Sequence, residues 1–178
     1  MKKILAFGAS SSTTSINHKL AKYASDQIKD AEINLIDLND FEMPIFSVDK
    51  EQDNGIPEKA KQFKELIREA DGVLISFAEH NGSYSTAFKN IFDWSSRIEK
   101  EMWLNKLMFL LATSPGPRGG KSVLGLAVND FPHRAGQVIA SFSLPSFHQN
   151  FSDGGGIADA EIKAEFEEQL ARFEKALS

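Results

Sequence analysis

The sequence contains no cysteine among its 178 residues. This absence excludes disulfides, iron–sulfur clusters, thiolate nucleophiles and zinc sites built on cysteine. The four histidines do not show the spacing of paired zinc ligands, so we predict no metal site. Any redox chemistry must therefore come from a bound organic cofactor.

Positively charged residues are outnumbered by negatively charged ones, 20 against 25, and long apolar runs are absent. The formal charge is −5 and no basic patch is visible, so we predict no nucleic-acid partner and no attraction to anionic membranes. No apolar stretch approaches the ~20 residues that span a bilayer. The start, Met1 to Ile4, leads directly into a strand pattern rather than a signal peptide. We therefore expect a cytoplasmic protein.

The composition is that of a globular protein, with 42% hydrophobic and 25% charged residues. The length suits one domain, residues 1–178, with a packed core. Five apolar runs alternate with segments of helical period, which predicts a parallel sheet covered by helices on both faces. The predicted strands are Ile4–Ala9, Ile33–Leu38, Gly72–Ala78, Met108–Thr113 and Val138–Leu144.

The remaining segments are predicted helices and loops. Asp159–Leu177 carries apolar residues at helical spacing and is predicted as a closing helix. Phe41–Pro57 and Gln149–Ala158 are predicted surface loops. In an open parallel sheet, the loops that follow the strands lie along one edge, where ligands bind. We therefore expect the functional site in the loops after strands one, three and four.

The loop after the first strand holds six consecutive hydroxyl residues, Ser10 to Ser15, before the first helix. Hydroxyls and the free amides of a helix start form an anion site, which predicts phosphate binding. A helix cap is the simpler alternative, but one residue would suffice for it. The three-glycine fingerprint of dinucleotide sites is missing, since only Gly8 is present.

The loop after the third strand contains Asn81-Gly82, a signal for a tight turn with positive φ. Its sequence resembles the Pro-Glu-Tyr-Asn-Gly-Ser and Leu-Lys-Asn-Ala-Ile-Asp-Trp signature of the NADPH-dependent FMN reductase family, which includes quinone, azo-dye and chromate reductases. The first loop is similar to that family's phosphate loop, and the loop Ser114–Gly120 resembles its Ser-Pro-Gly-x-x-Gly-Gly loop. The residues that match the signature are Glu79, Asn81, Gly82, Ser83, Lys89, Asn90, Asp93 and Trp94.

The resemblance implies a flavodoxin-like three-layer α/β sandwich with a five-stranded parallel sheet in strand order 2-1-3-4-5. It implies an enzyme in which NADPH or NADH reduces bound FMN, and a quinone or similar small acceptor then reoxidises it. The flavin carries the chemistry, so no side chain is predicted to be catalytic. The residues expected to bind FMN are Ser10, Ser12, Ser15, Ile16, Asn17, Glu79, His80, Asn81, Gly82, Ser83, Ser114, Pro115, Gly116, Gly119 and Gly120.

The resemblance further implies a homodimer or homotetramer, and the aromatic stretch 88–107 is a candidate pairing surface. We expect Asp93 and Trp94 to pack and cap rather than bind flavin, and Trp103 to lie in the core or in a subunit interface. Amides exposed at the helix start after Gly120 are expected to stabilise charge on the reduced ring, with a contribution from Arg118.

The sequence departs from the family pattern at several positions. Ser12 stands where the family often has arginine, which removes a charge-assisted partner for the phosphate. His80 stands where it has tyrosine, so imidazole is expected to face the flavin. The other departures are Ala9 for glycine, and Ala78 and Ser85 for proline.

Two alternatives to an FMN-dependent reductase remain open at this point. One is a flavodoxin-type electron carrier, although Trp94 and Trp103 lie in the wrong segments to sandwich a flavin. The other is a flavin-free interaction domain on the same scaffold.

Overall fold

The computed structural model describes residues 1–178 and contains a five-stranded parallel sheet. The spatial order is β2-β1-β3-β4-β5, which confirms the expected flavodoxin-like topology. The strands are β1 (Lys2–Ala9), β2 (Ala31–Ile36), β3 (Gly72–Phe77), β4 (Leu107–Thr113) and β5 (Gln137–Leu144).

Helices cover both faces of this sheet. They are α1 (Ile16–Ser25), α2 (Val48–Asn54), α3 (Glu58–Glu69), α4 (Thr86–Ser96), α5 (Lys121–Asp130), α6 (Phe147–Asn150) and α7 (Ala160–Leu177). The predicted closing helix is confirmed as α7, because the Asp159 carboxylate accepts hydrogen bonds from the amides of Glu161 and Ile162 and caps it. No helix has both the length and the apolar character needed to cross a membrane.

Successive side chains of β1 point to opposite faces of the sheet, so the core has two parts, one on each face. Leu5 and Phe7 pack into one cluster with apolar residues of α3, α4 and α5. Ile4 and Ala6 pack into the other with α1 and α7. Strands β1, β3 and β4 are buried on both faces, which is why their sequences read as nearly continuous apolar runs.

Both predicted long loops contain regular structure that the sequence did not reveal. Within residues 41–57, α2 forms with Ser47 as its cap, and none of its residues is buried. A helix without a buried apolar stripe carries no periodic signal, so this prediction was wrong. Within residues 149–158, α6 is followed by a small antiparallel hairpin of β6 (Phe151–Ser152) and β7 (Gly156–Ile157). Strand β2 also begins and ends two residues earlier than predicted.

The aromatic stretch 88–107 does not form an apolar surface. Phe88, Phe92, Trp94 and Trp103 are each at most 5% exposed. The Trp94 indole donates to the Pro44 carbonyl at 2.6 Å. These four rings therefore pack inside the protomer and offer no exposed apolar area for pairing. The expectation that Trp94 packs is confirmed, and Trp103 lies in the core, which was one of the two places expected for it.

The end of β1 approaches the start of α1 closely enough to require glycine. A Cβ atom placed on Gly8 would lie 2.4 Å from the backbone nitrogen of His18 and 2.6 Å from its Cα. Backbone atoms cannot yield to such a contact as the end of a flexible side chain can. Gly8 therefore sets the distance between the first strand and the loop that follows it.

We predict that Gly8→Ala lowers the free energy of unfolding by about 2 kcal/mol, because α1 must move away from the sheet. The matched control is Gly125→Ala in α5, where a Cβ atom meets nothing within 4 Å. This control should stabilise the protein by up to about 1 kcal/mol through helix propensity. Urea denaturation of both variants measures the difference, and equal stabilities would contradict the steric argument.

Candidate functional site

The loops after β1, β3 and β4 meet at the carboxyl edge of the sheet around an open cleft of about 360 Å³. Its wall is mostly polar, and it is completed by one residue of α6. The lining residues are Ser10, Ser12, Thr14, Ser15, Ile16, Asn17, Ala78, Glu79, His80, Thr113, Ser114, Pro115 and His148.

The first wall of the cleft is the loop that enters α1. Ser15 caps this helix by accepting from the His18 amide at 3.1 Å, and the Ser12 amide donates to Ser10 Oγ at 3.2 Å. The amides of Ile16 and Asn17 donate to no protein group. Free amides at the start of a helix, surrounded by hydroxyl groups, form an anion-binding site even in an acidic protein.

The side chain of Asn17 is engaged in hydrogen bonds within the protein. Its Oδ1 accepts from the Thr113 amide at 3.0 Å and from Ser76 Oγ at 2.7 Å, while its Nδ2 donates to the Thr113 carbonyl at 3.1 Å. The residue is only 2% exposed. Asn17 therefore joins α1 to β3 and β4, and only its backbone amide remains free for a ligand.

The loop after β3 folds back in a tight turn. Asn81 and Gly82 have φ values of 52° and 76°, and His80 and Ser83 exchange two backbone hydrogen bonds of 3.0 and 3.1 Å. The Asn-Gly pair predicted a tight turn with positive φ, which is confirmed and found at both central positions. Asn81, Gly82 and Ser83 are exposed beyond the cleft wall, whereas His80 lines it.

Glu79 links the β3 loop to the start of α5. Its carboxylate accepts from the Val123 amide at 3.0 Å. The residue at the cap position of α5, Gly120, has no side chain to do this. The expectation of freely exposed amides at this helix start therefore needs correction, because a carboxylate already occupies part of it.

The loop after β4 contributes Ser114 and Pro115 to the cleft, but its paired glycines turn away from it. Gly119 and Gly120 have positive φ and are buried. A Cβ on Gly119 would lie 2.5 Å from Ser143 Oγ, and one on Gly120 would lie 2.9 Å from the Ala112 Cβ. These glycines permit close packing on β4 and β5, and the structure does not bring them into the cleft wall. Gly116 faces open space.

Ser85 and Ala9, two positions at which the sequence departs from the family pattern, are joined by a hydrogen bond. Ser85 Oγ donates to the carbonyl of Ala9 at 2.8 Å and accepts from the Phe88 amide at 3.2 Å. Ser85 thus caps α4 and fastens it to the end of β1, which a proline at this position cannot do.

Tyr84 directly follows the turn, but it does not face the cleft. Its ring packs among Phe77, Phe88 and Phe131, and burial raises the pKa of its phenol far above the usual range. Tyr84 therefore stays neutral and belongs to the core. Neither tryptophan lines the cleft either.

Sequence reasoning missed four residues of the cleft wall, namely Thr14, Ala78, Thr113 and His148. Thr14 lies within the hydroxyl run and Thr113 ends a predicted strand, so both could have been selected from their positions. His148 lies after β5, outside the three loops in which the sequence predicted the site. The protein contains no cluster of three or more histidine, aspartate or glutamate side chains able to hold a metal ion.

Comparison with known proteins is consistent with this geometry. The family model of NADPH-dependent FMN reductases matches residues 2–149. An NADPH:quinone oxidoreductase of Arabidopsis thaliana is 27% identical over 178 residues, covering 94% of this chain and 88% of that protein. A probable NADPH:quinone oxidoreductase 2 of Oryza sativa subsp. japonica is 26% identical over 166 residues, covering 90% of this chain and 79% of the relative.

Among solved structures, the flavoenzyme NAD(P)H:(acceptor) oxidoreductase FerB from Paracoccus denitrificans superposes with a TM-score of 0.78. It is 25% identical and the match covers 99% of this chain and 97% of that one. The likeness thus extends over the whole sheet and its helices.

We predict that Asn17→Ala lowers the free energy of unfolding by about 3 kcal/mol, because it leaves buried polar groups of Thr113 and Ser76 without partners. The matched control is Asn129→Ala, which removes one exposed helical hydrogen bond to Gly125. Its effect should stay within about 0.5 kcal/mol. Chemical denaturation of both variants tests this, and a similar small loss in both would contradict the role assigned to Asn17.

Proposed function

Because the chain belongs to the NADPH-dependent FMN reductase family, we propose that it binds FMN in the cleft and passes reducing equivalents from NADPH or NADH to a quinone or similar small acceptor. The observation that carries this proposal is the meeting of three loops around one polar cleft at the carboxyl edge of the sheet.

The loop before α1 is suited to the FMN phosphate. The hydroxyls of Ser10, Ser12 and Ser15 and the free amides of Ile16 and Asn17 supply neutral donors, and the helix dipole adds positive potential. The Glu79 carboxylate on the cleft wall is held on the Val123 amide. The residues present therefore fit a phosphorylated flavin.

The loops after β3 and β4 are suited to the flat ring. His80 on the wall offers an aromatic face, while Ser114 and Pro115 supply the edge of the β4 loop. Bound FMN would supply the redox chemistry, which consists of accepting hydride from NAD(P)H and passing electrons to the acceptor. The protein's own residues then bind, orient and leave one side of the site open, and none has to act as a nucleophile.

The resemblance to the family extends the proposal to assembly and location. We propose that the chain acts as one functional domain, as a homodimer or homotetramer, in the cytoplasm. Size-exclusion chromatography with light scattering measures the assembly state. A monomer at micromolar concentration would contradict the proposed oligomer without affecting the proposed chemistry.

The test of the function is a spectrum of the purified protein with added FMN, followed by anaerobic addition of NADPH or NADH. We expect the absorbance of oxidised flavin to disappear, and then sustained NAD(P)H oxidation when menadione is supplied. Failure of both nucleotides to reduce the flavin would make the proposal wrong. Reduction without turnover would favour an electron carrier, and a preparation that stays colourless with FMN would favour a flavin-free domain.

A variant with an added negative charge tests where the phosphate of FMN binds. Ser12→Glu places a carboxylate at an exposed position on the cleft wall and should weaken FMN binding roughly tenfold by repulsion. Ser178→Glu is the matched control, because it adds the same charge on the end of α7, beside Lys2 at the opposite edge of the sheet. Equal affinities in a fluorescence titration would contradict the proposed position of the phosphate.

A further inference from the structure

The loop Ser10–Ser15 and the start of α1, where the proposed function places the phosphate of FMN, contain no permanently charged cation. The inference drawn below rests on that proposed function. No lysine or arginine lines the cleft, and Ser12 stands where the family pattern often has arginine. The titratable residues on the wall are Glu79, His80 and His148. A phosphate dianion at this site therefore depends on a histidine for any cationic partner.

His148 is held by a rigid piece of backbone. The Phe147 amide donates to the Ser114 carbonyl at 3.0 Å, and the Ser146 amide donates to the Gly116 carbonyl at 2.9 Å. Phe147 is buried and stacks on Phe151 with ring centroids 4.7 Å apart. The position of the His148 backbone is thus fixed relative to the β4 loop.

The imidazole of His148 is free to meet a ligand. It is exposed, and it makes no hydrogen bond or ion pair with the protein. Its one notable contact is an edge-to-face arrangement with the ring of Phe147 at 5.5 Å. Both ring nitrogens therefore remain available as donors in the charged form.

The segment that carries His148 packs beside α1, the helix whose start forms the anion-binding site. Tyr23 of α1 lies edge-on to Phe151, with ring centroids 5.3 Å apart, and Lys19 of α1 forms a 2.7 Å ion pair with Asp153. These contacts bring His148 onto the same cleft wall as the hydroxyl run.

We propose that the His148 imidazolium takes the place of the missing arginine and binds the phosphate of FMN. Histidine changes charge near neutral pH, whereas arginine stays charged. The strength of FMN binding should therefore depend on pH in this protein.

The other charged groups around His148 do not provide an equivalent cation. Glu79 is negative and engaged at the start of α5, and His80 lies in the loop after β3, which the proposed function assigns to the flavin ring rather than to the phosphate. Lys19 does not line the cleft, and its ammonium group forms an ion pair with Asp153. Because riboflavin lacks the phosphate but shares the ring of FMN, a comparison of the two isolates the interaction with His148.

The experiment measures binding of FMN and riboflavin by fluorescence at about pH 6.5 and about pH 8.5, where the phosphate is mostly dianionic. For the unmodified protein, we expect the preference for FMN over riboflavin to fall roughly fivefold at the higher pH. His148→Gln should weaken FMN roughly tenfold at the lower pH, leave riboflavin unchanged and remove the pH dependence.

Restoring arginine provides a second test. Ser12→Arg in the His148→Gln background should recover the preference for FMN and make it independent of pH, because the guanidinium stays charged. The control is His133→Gln, an exposed histidine outside the cleft, which should behave as the unmodified protein does.

Three results would overturn the inference. An unchanged preference for FMN in His148→Gln excludes a phosphate contact. An equal loss of FMN and riboflavin places His148 against the ring or in the support of the loop. If the unmodified protein binds neither flavin, the proposed function fails as well, so the two failures are distinguishable.

Discussion

The cleft depends on one buried amide side chain that joins three elements of the sheet edge. Asn17 stands at the second position of α1, yet its hydrogen bonds go to Thr113 at the end of β4 and to Ser76 in β3. A side chain that both donates and accepts hydrogen bonds is needed here, because it must accept from the Thr113 amide and donate to the Thr113 carbonyl. The positions of the hydroxyl loop and of the β4 loop follow from this contact.

The architecture was predictable because its signals are strong and local. Buried strands such as β3 and β4 are continuous apolar runs, and α7 carries a long amphipathic stripe with an aspartate cap. The short α2 escaped because it buries nothing, and the β6–β7 hairpin escaped because each of its strands has two residues. Such elements are determined by contacts with the rest of the chain.

The site was predictable in outline rather than in detail. The hydroxyl run, the Asn81-Gly82 turn and the Ser114 loop lie at the edge where parallel topology puts them. The sequence could not distinguish residues that face the cleft from residues that shape it. Gly119 and Gly120 serve close packing, and the roles of Asn17 and Glu79 depend on partners distant in sequence.

Glu79 illustrates what these cross-links mean for a ligand. Its hydrogen bond to Val123 ties the β3 loop to α5, just as the Phe147 amide ties α6 to the β4 loop. The walls of the cleft are therefore preorganised before anything enters. Ligand binding then costs little conformational entropy, because few loop residues have to become ordered. Differences in affinity between two ligands therefore reflect mainly the chemical groups in which the ligands differ.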